Sequence, residues 1–386
     1  MVILEVIEAC LAGVGRHVSS LCEGLAVDGH RVTVAYSPYR ADEAFRRFIA
    51  DHQDKIRFVP LRVGREVSPV SDLHGVGRLL HLMRLEGPFD VVHGHSSKGG
   101  AIGRIAGRLS GIPTVYTPNS LVVASPDISK PAAAVYNSIE YVLGRLATSR
   151  MIAVSEDERE LFLKLGLVSP DRVAVIEQAI HDQDLEGFAE QGDCKALSRK
   201  PLTFGATMRF EPQKAPAHLL EAFVSLAEAL HQLPMRLVVA GDGELFAEAK
   251  KQAEESGMGE KISLLGWRTD IREVLREIDV LVVSSLYESG LTYSTMEAMA
   301  ARLPIVSTDV FGTRGTLSQL PGNVLVPVGD PPALAEGMRR MATLADPGSL
   351  RRELRRIGQA NRTYVRANCM QSDITRRTIE LYRALG

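Results

Sequence analysis

Leu202-Thr203-Phe204-Gly205-Ala206 begins a second series of short apolar strands separated by amphipathic segments, so the chain repeats one structural pattern twice. Strands of this length that alternate with helical patterns form parallel sheets covered by helices on both faces. The second half of the chain is therefore predicted to be a doubly wound α/β domain. Its further strand candidates are 236–240, 262–265, 280–284, 304–307 and 324–326.

The same alternation runs through the first half, beginning with an apolar strand at Val2–Ile7, a glycine turn and a helix over about 16–28. The other strand candidates of this half are 31–35, 56–60, 90–94, 113–117, 151–154 and 172–176. A polar stretch at 183–200 separates the two series and is interpreted as an extended link with some helix. Both halves are therefore predicted to be α/β, each a Rossmann-like domain with a doubly wound parallel sheet.

The length of 386 residues is too great for one ordinary core and favours two domains of about 150 to 200 residues. We expect an N-terminal domain over 1–185 and a C-terminal domain over 200–360, with a cleft between them. The remaining residues, 361–386, are predicted to form a helical tail that crosses back and packs toward the N-terminal domain.

The composition indicates a soluble globular protein with no general affinity for nucleic acid. The chain is 45% hydrophobic and 24% charged, which does not indicate disorder, and its formal net charge is −2. Four cysteines without close spacing predict neither a metal-binding knuckle nor a disulfide framework, which favours a reducing cytoplasm.

The sequence bears on membrane contact near both of its ends. Glu5 and Glu8 interrupt any signal-peptide pattern, so no secretion signal is expected, and no uncharged apolar run approaches the ~20 residues that span a bilayer. Arginines are frequent in 350–385, and further cations lie between residues 40 and 65. A solvated helix face explains the C-terminal arginines; the alternative is peripheral contact with anionic lipid on the cytoplasmic face of the inner membrane.

The stretch ESGLTYSTMEAMA, residues 288–300, places a glycine turn before a helix of small and apolar residues that carries one carboxylate, Glu297. A glutamate among such residues needs hydrogen-bond donors, and the vicinal hydroxyls of a ribose or hexose supply them. Gly290, Leu291 and Thr292 would leave backbone N–H groups at a helix N-terminus, where a phosphate binds favourably. The stretch therefore predicts a binding site for a nucleotide sugar.

The loop after the first strand of the second half carries Arg209 and Lys214, five residues apart. An arginine fork and a lysine point charge could hold a diphosphate. Such a pair would stabilise the negative charge that develops when a sugar leaves a nucleoside diphosphate. The alternative interpretation is two exposed surface cations.

Gly13 and Gly15 lie between the first strand and the first helix, where glycine lets the backbone approach a ligand closely. The third spaced glycine of a dinucleotide fingerprint is missing and no acidic residue ends the second strand, so a nicotinamide cofactor is not expected. A tight turn without a ligand is the alternative.

His93 and His95 stand at the C-terminal end of a strand, the edge where open α/β sheets bind ligands. No Cys, His or carboxylate cluster completes a metal site beside them in the sequence, so no metal is expected. The acidic triplet 182–184 lies in the polar link and is interpreted as surface, and Asp242 is interpreted as a helix cap.

Together these motifs resemble those of the retaining GT-B glycosyltransferases of family 4, of the bacterial surface-polysaccharide type, over nearly the whole chain. The similar stretches are 6–8 with 13–17, 93–100, 153–156, Arg209 with Lys214, 240–243, 265–267, and 297–300 with 303–306. The resemblance implies a GT-B architecture, in which the N-terminal domain binds the acceptor and the C-terminal domain binds the nucleotide sugar.

The resemblance also implies roles for individual residues. Arg209 and Lys214 would hold the donor diphosphate, Glu297 the ribose hydroxyls, and the backbone of 290–292 the phosphate and the sugar. The two glycines of the N-terminal turn would let that loop approach the donor phosphates across the cleft.

Two positions depart from the family pattern. The family has two glutamates separated by seven residues, whereas Glu288 and Glu297 are separated by eight. Either Glu288 reaches the sugar through a bulged loop, or Ser289 occupies its catalytic position. Where the family has His-Gly after a strand, this chain has Asn119-Ser120, and the Asn119 amide is expected to supply the sugar-facing hydrogen bond.

The implied reaction transfers a hexosyl unit from a nucleoside diphosphate sugar to a hydroxyl of a glycan or lipid-linked saccharide, with retention, in cell-surface polysaccharide biosynthesis. Neither a metal nor another cofactor is expected, because the cations and helix-end N–H groups would stabilise the departing diphosphate. Two alternatives stay open. One is a catalytically silent nucleotide-sugar sensor or assembly subunit, and the other is a nucleotide-sugar epimerase that uses His17, His93 and His95.

Overall fold

The computed structural model describes residues 1–64, 68–121, 128–189, 201–344 and 348–385. The chain divides into two units: Met1–His181 with Gln371–Gly386 form the first, and Asp182–Met370 form the second. It therefore leaves the first unit once and returns to it with its last helix. The sequence placed the start of this returning tail at 361, whereas the observed division falls at Gln371, because the preceding helix packs on the second unit.

The first unit contains a seven-stranded sheet in which neighbouring strands are parallel. Its strands are β1 (Val2–Ile7), β2 (Arg31–Tyr36), β3 (Arg57–Pro60), β4 (Val91–His95), β5 (Thr114–Thr117), β6 (Arg150–Ala153) and β7 (Val173–Val175). Their order across the sheet is β3-β2-β1-β4-β5-β6-β7. Successive residues of β1, such as Ile3 and Leu4, are both buried, as expected for a sheet that helices cover on both faces.

The second unit contains a six-stranded parallel sheet. Its strands are β8 (Leu202–Thr207), β9 (Met235–Ala240), β10 (Ile262–Leu264), β11 (Val280–Val283), β12 (Ile305–Thr308) and β13 (Val324–Val326). Their order is β10-β9-β8-β11-β12-β13. The predicted fold class, two doubly wound parallel sheets, is confirmed.

Helices cover both sheets. They are α1 (Ala12–Val27), α2 (Glu43–His52), α3 (Pro69–Glu86), α4 (Ser97–Leu109), α5 (Lys130–Leu146), α6 (Glu156–Lys164), α7 (Asp182–Ala189), α8 (Pro216–Ala229), α9 (Phe246–Glu255), α10 (Ile271–Glu277), α11 (Tyr293–Ala300), α12 (Thr313–Leu317), α13 (Pro331–Ala342), α14 (Leu350–Asn368) and α15 (Gln371–Arg383). Helix α7 occupies the start of the predicted link, and 190–200 lie outside the described residues. Among the described residues, no helix combines the length and apolar character that crossing a bilayer requires.

Each unit has its own hydrophobic core. In the first, α1 and α15 pack on one face of the sheet, and α3 and α4 pack on the other. In the second, the fully buried Phe204 of β8 and Phe223 of α8 belong to one cluster that also includes residues of α13. Burial of each such side chain contributes about 1.5–3 kcal/mol relative to exposure, which holds the helices on the sheet.

In both sheets the strand order reverses beside the first strand of the unit, between β1 and β4 and between β8 and β11. The loops that follow these two strands lead away in opposite directions and leave a crevice at the carboxyl edge of the sheet. Open α/β sheets bind ligands at this position. Each unit therefore has one place where its topology favours a binding site.

Candidate active site

The reversal between β8 and β11 brings together the two loops that carry most of the predicted site residues. The loop after β8 contains Arg209 and Lys214, and the loop after β11 contains Glu288 and leads into α11. Hydrogen bonds join the two loops: Leu286 N donates to Gln213 O at 2.8 Å, and Ser284 Oγ donates to Lys214 O at 2.7 Å. These bonds hold the two loops in fixed positions along the crevice, and we call the two joined loops its rim.

Glu288 forms the main side-chain link across this rim. Its carboxylate accepts hydrogen bonds from Lys214 Nζ and from Gln213 Nε2, the latter at 3.2 Å. Gln213 Nε2 also donates to the Tyr287 carbonyl at 2.9 Å. The sequence did not single out Gln213, since an isolated glutamine in a loop carries no recognisable spacing.

The two predicted phosphate-binding cations differ in their surroundings. Arg209 Nη1 contacts Glu211 Oε1 at 2.6 Å, and 42% of the Arg209 side chain is exposed. Lys214 is 16% exposed and pairs with Glu288. Both cations thus have carboxylate partners, and an incoming diphosphate would compete with those carboxylates for them.

Helix α11 begins at the same crevice. Thr292 is its N-cap, and its hydroxyl accepts a hydrogen bond from Thr295 N at 3.2 Å. Ser294 Oγ donates to the Thr207 carbonyl at 2.7 Å, which fixes the helix start against the end of β8. Gly290 and Leu291 are buried just before the helix. The predicted glycine turn and helix N-terminus are therefore present together.

Gly290 also lies against a third loop. A Cβ atom at Gly312, whose φ is +78°, would come within 2.2 Å of Gly290 Cα, so only glycine fits there. The loop that carries Gly312 therefore lies directly against the backbone that precedes α11. The sequence did not identify Gly312.

Glu297 lies one turn into α11 and is half-buried. Its neighbours Met296 and Ala298 are fully buried, so the apolar residues of the stretch face the core while the carboxylate lies at the edge. The sequence predicts that Glu297 is enclosed by apolar groups. Helical periodicity instead turns the apolar side chains toward the core and leaves the Glu297 carboxylate at its edge. The free-energy cost of keeping this carboxylate ionised is therefore lower.

In the first unit, Gly13 and Gly15 lie in the first turn of α1 rather than in a turn before it, because α1 begins at Ala12 instead of at 16. A Cβ at Gly15 would come within 3.0 Å of the Cys10 carbonyl carbon. Ala12 N donates to Asp42 Oδ2 at 2.8 Å, which anchors the helix start.

Asn119 follows β5 in the left-handed region, with φ of +56°. Its side chain is buried, and Nδ2 donates to the Thr117 carbonyl at 3.3 Å. Asparagine tolerates this conformation better than most residues, which accounts for its presence at this turn.

A buried polar cluster lies in the core between the first sheet and its helices. Glu5 Oε2 accepts a hydrogen bond from His95 Nε2 at 2.7 Å, and Tyr382 Oη donates to Glu5 Oε1 at 3.0 Å. His93 Nδ1 lies 2.6 Å from Tyr382 Oη, and His93 Nε2 lies 2.8 Å from Thr117 Oγ1. Glu5, His93 and His95 are all fully buried, so they lie in the core and not on the crevice wall.

The sequence expectation that no carboxylate accompanies the two histidines is wrong. Glu5 is paired with His93 in the register of β1 and β4, and ligand-type atoms of Glu5, His93 and His95 lie within 4.8 Å of one another. The carboxylate was missed because it lies on another strand. In this structure His95 Nε2 bonds to Glu5, whereas the two ring nitrogens of His93 bond to Tyr382 Oη and Thr117 Oγ1.

Burial shifts the pKa of three groups in or beside this cluster, His17, His93 and Tyr382. Desolvation, with a smaller contribution from His95, lowers the pKa of His17 to about 3. The pKa of His93 is also well below its usual range, again mainly through burial. Burial and the nearby Glu5 raise the pKa of the Tyr382 phenol. His17 and His93 are therefore neutral near pH 7.

One sequence interpretation changes, that of Asp242, and another is confirmed: the 182–184 triplet lies on the surface, with Asp182 and Gln183 exposed. Asp242 does not cap α9, because its carboxylate accepts from Gly243 N at 2.8 Å in a turn that precedes the helix. The acidic triplet 182–184 begins α7, where Asp184 pairs with Arg272 at 2.6 Å. Both carboxylates thus have structural partners.

The chain matches two family models, one in each half. Residues 12–178 match a model described as glycosyl transferase 4-like domain, and residues 200–343 match a model described as glycosyl transferases group 1. Both belong to glycosyltransferases, and their order along the chain agrees with the two observed sheets.

Similar proteins of known activity include several glycosyltransferases. The chain is 33% identical over 270 residues to the UDP-Gal:alpha-D-GlcNAc-diphosphoundecaprenol alpha-1,3-galactosyltransferase of Escherichia coli, with 67% of this chain and 68% of that protein covered. It is 29% identical over 317 residues to D-inositol 3-phosphate glycosyltransferase 1 of Catenulispora acidiphila, with 76% and 73% covered.

Solved structures with the same fold include HepE of Anabaena in complex with UDP, with a TM-score of 0.79 at 16% identity and full coverage of both chains. Sucrose-phosphate synthase of Thermosynechococcus elongatus has a TM-score of 0.75 at 20% identity, with 100% of this chain and 98% of that chain covered. The resemblance to GT-B glycosyltransferases is thereby confirmed. By its two matched domains, its fold and its similarity to the galactosyltransferase, the chain belongs to the family 4-like glycosyltransferases.

Proposed function

We propose that this protein transfers a hexosyl unit from a UDP-linked sugar to a hydroxyl of a lipid-linked saccharide, with retention of the anomeric configuration, in the assembly of a cell-surface polysaccharide. The observation that carries the proposal is the crevice between β8 and β11, where two cations and the start of α11 lie on hydrogen-bonded loops. The donor is proposed as UDP-linked because the similar galactosyltransferase is named for UDP-Gal and HepE is in complex with UDP.

The diphosphate is proposed to bind Arg209, Lys214 and the backbone N–H groups of 290–292. The N-terminal end of α11 carries a partial positive charge and N–H groups without intrahelical acceptors, which suits a phosphate. Two cations and these donors would stabilise the leaving UDP as the glycosidic bond breaks. For this reason we propose that transfer requires no divalent metal.

Glu297 is proposed to accept hydrogen bonds from the ribose hydroxyls, since it lies one turn inside α11 at the edge of the core. Ser289 precedes the glycine turn and is the candidate for the sugar-facing position. Glu288 is bound to Lys214 and Gln213, so its proposed role is to orient Lys214. Asn119, Gly13 and Gly15 are proposed to contact the donor from the first unit.

The acceptor is proposed as a sugar attached to a lipid diphosphate, by analogy with the name of the similar galactosyltransferase. The membrane contact that such an acceptor requires is not well explained by the C-terminal arginines. Arg376 pairs with Asp373 and Glu380, and Arg356 pairs with Glu353 within the same helices. These pairs favour the interpretation of a solvated helix face.

The nucleotide-sugar epimerase alternative is not supported by the position of its candidate groups. His93 and His95 are fully buried in the first unit and bonded to neighbours within the core, and His17, the third candidate, is buried as well. An acid and a base for epimerisation must reach the sugar ring directly. The sensor alternative stays open and is tested together with the transferase.

The decisive experiment incubates the purified full-length protein with UDP-galactose, UDP-glucose, UDP-N-acetylglucosamine and GDP-mannose. Each is tested with a lipid-diphosphate-linked N-acetylhexosamine acceptor and with water alone. We expect one UDP-sugar to give a disaccharide product whose anomeric proton coupling matches that of the donor, with undiminished rate in a chelator. Inversion would refute retention, while UDP-sugar binding without transfer or hydrolysis would establish the sensor.

A further inference from the structure

Helix α5 (Lys130–Leu146) has an unusual distribution of side chains. It buries only Glu140 and Gly144, both part of its inner face. Four of its five exposed large apolar residues form a stripe with successive spacings of four, three and four: Val135, Ile139, Val142 and Leu146, exposed by 59%, 41%, 49% and 68%. The fifth, Tyr141, lies beside the stripe with Arg145 over its ring. A surface helix normally turns such a stripe toward the core.

The inner face of α5 is held by polar contacts. Glu140 accepts hydrogen bonds from Arg104 at 2.8 Å and from Tyr116 Oη at 2.9 Å, and the Arg104 guanidinium lies 3.8 Å from the centre of the Tyr116 ring. A Cβ at Gly144 would come within 2.3 Å of the Leu167 carbonyl oxygen, so the helix backbone packs closely there. These contacts fix the rotation of α5 and keep the apolar stripe outward.

The stripe continues onto the end of α4. Arg108 Nε donates to the Leu146 carbonyl at 3.0 Å, which places the C-terminal ends of α4 and α5 side by side. Leu109, next to this contact, is 67% exposed. We name the surface formed by Leu109 and the four apolar residues of the α5 stripe the α5 face.

The exposed charged side chains of α4 and α5 next to the α5 face have one sign. Lys130, Arg108 and Arg145 are exposed at its ends. The sequences of α4 and α5 contain one acidic residue, Glu140, and it is buried against Arg104. The two helices therefore present apolar groups flanked by positive charge.

We propose that the α5 face docks on an anionic lipid surface, with the apolar stripe inserted at the headgroup level and the flanking cations against anionic headgroups. Apolar area and basic charge both strengthen the binding of a helix that lies in a membrane interface. A second copy of the chain suits the face less well. Cations stand at both ends of the α5 face, so parallel and antiparallel self-pairing would each bring like charges together.

This inference deepens the proposed function and rests on it for its purpose: a lipid-linked acceptor presents its sugar at the membrane surface. Docking through the α5 face would hold the first unit where that acceptor is located. Binding to lipid can nevertheless be measured without any transfer, so the two proposals fail separately.

The test measures sedimentation of the protein with two kinds of vesicle. One contains phosphatidylcholine alone, and the other also contains about 30% phosphatidylglycerol, which approximates an anionic membrane. The variant Val142→Gln with Leu146→Gln is compared with Val27→Gln plus Leu85→Gln, which alters two exposed apolar residues on α1 and α3. We expect the parent and the control to bind anionic vesicles in a salt-sensitive manner. The α5 variant should bind these vesicles at least about tenfold more weakly than the parent.

Equal binding by the parent and the α5 variant would overturn the proposal, as would binding that does not depend on phosphatidylglycerol. A dimer of the parent that the α5 variant disrupts, without loss of lipid binding, would assign the face to a second copy. Melting temperature and UDP affinity of the variants verify that the fold is retained. The α5 variant should keep its activity on a short-chain, water-soluble acceptor and lose it on the same acceptor embedded in vesicles.

Discussion

Lys214 donates a hydrogen bond through Nζ to the carboxylate of Glu288, and so joins the loop after β8 to the loop after β11. The two side chains are 16% and 9% exposed, which shields the pair from solvent. A diphosphate that enters the crevice would either share Lys214 with this carboxylate or displace the carboxylate from Lys214. The ion pair therefore fixes the position of the lysine at the crevice. If Lys214 binds the donor as proposed, removal of the pair should affect catalysis more than the fold.

The first prediction concerns the two cations of the crevice. Replacement of Arg209 or Lys214 by Ala should lower the rate of transfer by about 100- to 1,000-fold, because each loses a charged group that stabilises the leaving diphosphate. Initial rates with the preferred UDP-sugar measure the effect. Arg339→Ala is the matched control, since Arg339 is an exposed arginine of α13 paired with Glu336, and it should retain full activity. Parental rates in both crevice variants would exclude the assigned phosphate contacts.

The second prediction concerns Glu297. The variant Glu297→Gln keeps the shape of the side chain but removes the charge that strengthens hydrogen bonds from ribose hydroxyls, so UDP should bind about tenfold more weakly. Titration calorimetry with UDP gives the dissociation constant. Glu254→Gln, which changes an exposed carboxylate of α9, serves as the control. Identical UDP affinity in the Glu297 variant and the parent would remove this residue from the site.

The sequence predicted the architecture because its signals are local. Strands buried on both faces produce unbroken apolar runs, and the glycine turn and N-cap before α11 are marked by adjacent residues such as Gly290 and Thr292. These features depend on a few neighbouring positions, so one sequence suffices to identify them.

The contacts that the sequence did not predict join distant segments. Glu5, His93 and Tyr382 meet only because β1 pairs with β4 and the last helix returns to the first unit. Gln213 reaches Glu288 because β8 and β11 are neighbours in the sheet. Such partners follow from strand order, which periodicity does not specify. The start of α1 at Ala12 was missed because glycines are poor helix formers and conceal the first turn.

The third prediction concerns Glu158, whose pKa burial raises to about 8 although Val154 N donates to its carboxylate at 2.8 Å. The folded protein holds a proton here that the unfolded chain, with an ordinary value of 4.5, has released. Stability should therefore fall as pH rises from about 4.5 to about 8 and then level off. Glu158→Gln cannot ionise, so its melting temperature should exceed that of the parent by a margin that grows over this range. The exposed neighbour variant Glu156→Gln should show no such trend.

The fourth prediction concerns His17, whose pKa is lowered to about 3 by burial. Below its ordinary value of 6.5 the unfolded chain binds a proton that the folded chain refuses, so stability should fall as pH decreases from 6.5 toward 3. Urea unfolding of His17→Gln should show a shallower loss over this range. His74→Gln, at an exposed histidine of α3, is the control and should follow the parent. Parallel pH profiles for parent and His17 variant would mean that His17 titrates normally.

The fifth prediction concerns Tyr382, the contact through which α15 joins the polar cluster of the first sheet. Tyr382→Phe keeps the ring but removes the hydroxyl that donates to Glu5 and lies 2.6 Å from His93 Nδ1. Because both partners are buried, the loss should lower the free energy of unfolding by about 1–3 kcal/mol. Denaturant unfolding measures it, with Tyr39→Phe, 67% exposed, as the control. A larger increase in amide exchange in α15 than in α8 would locate the weakening at the returning helix, whereas a Tyr382 variant as stable as the control would show that the hydroxyl contributes no net stability.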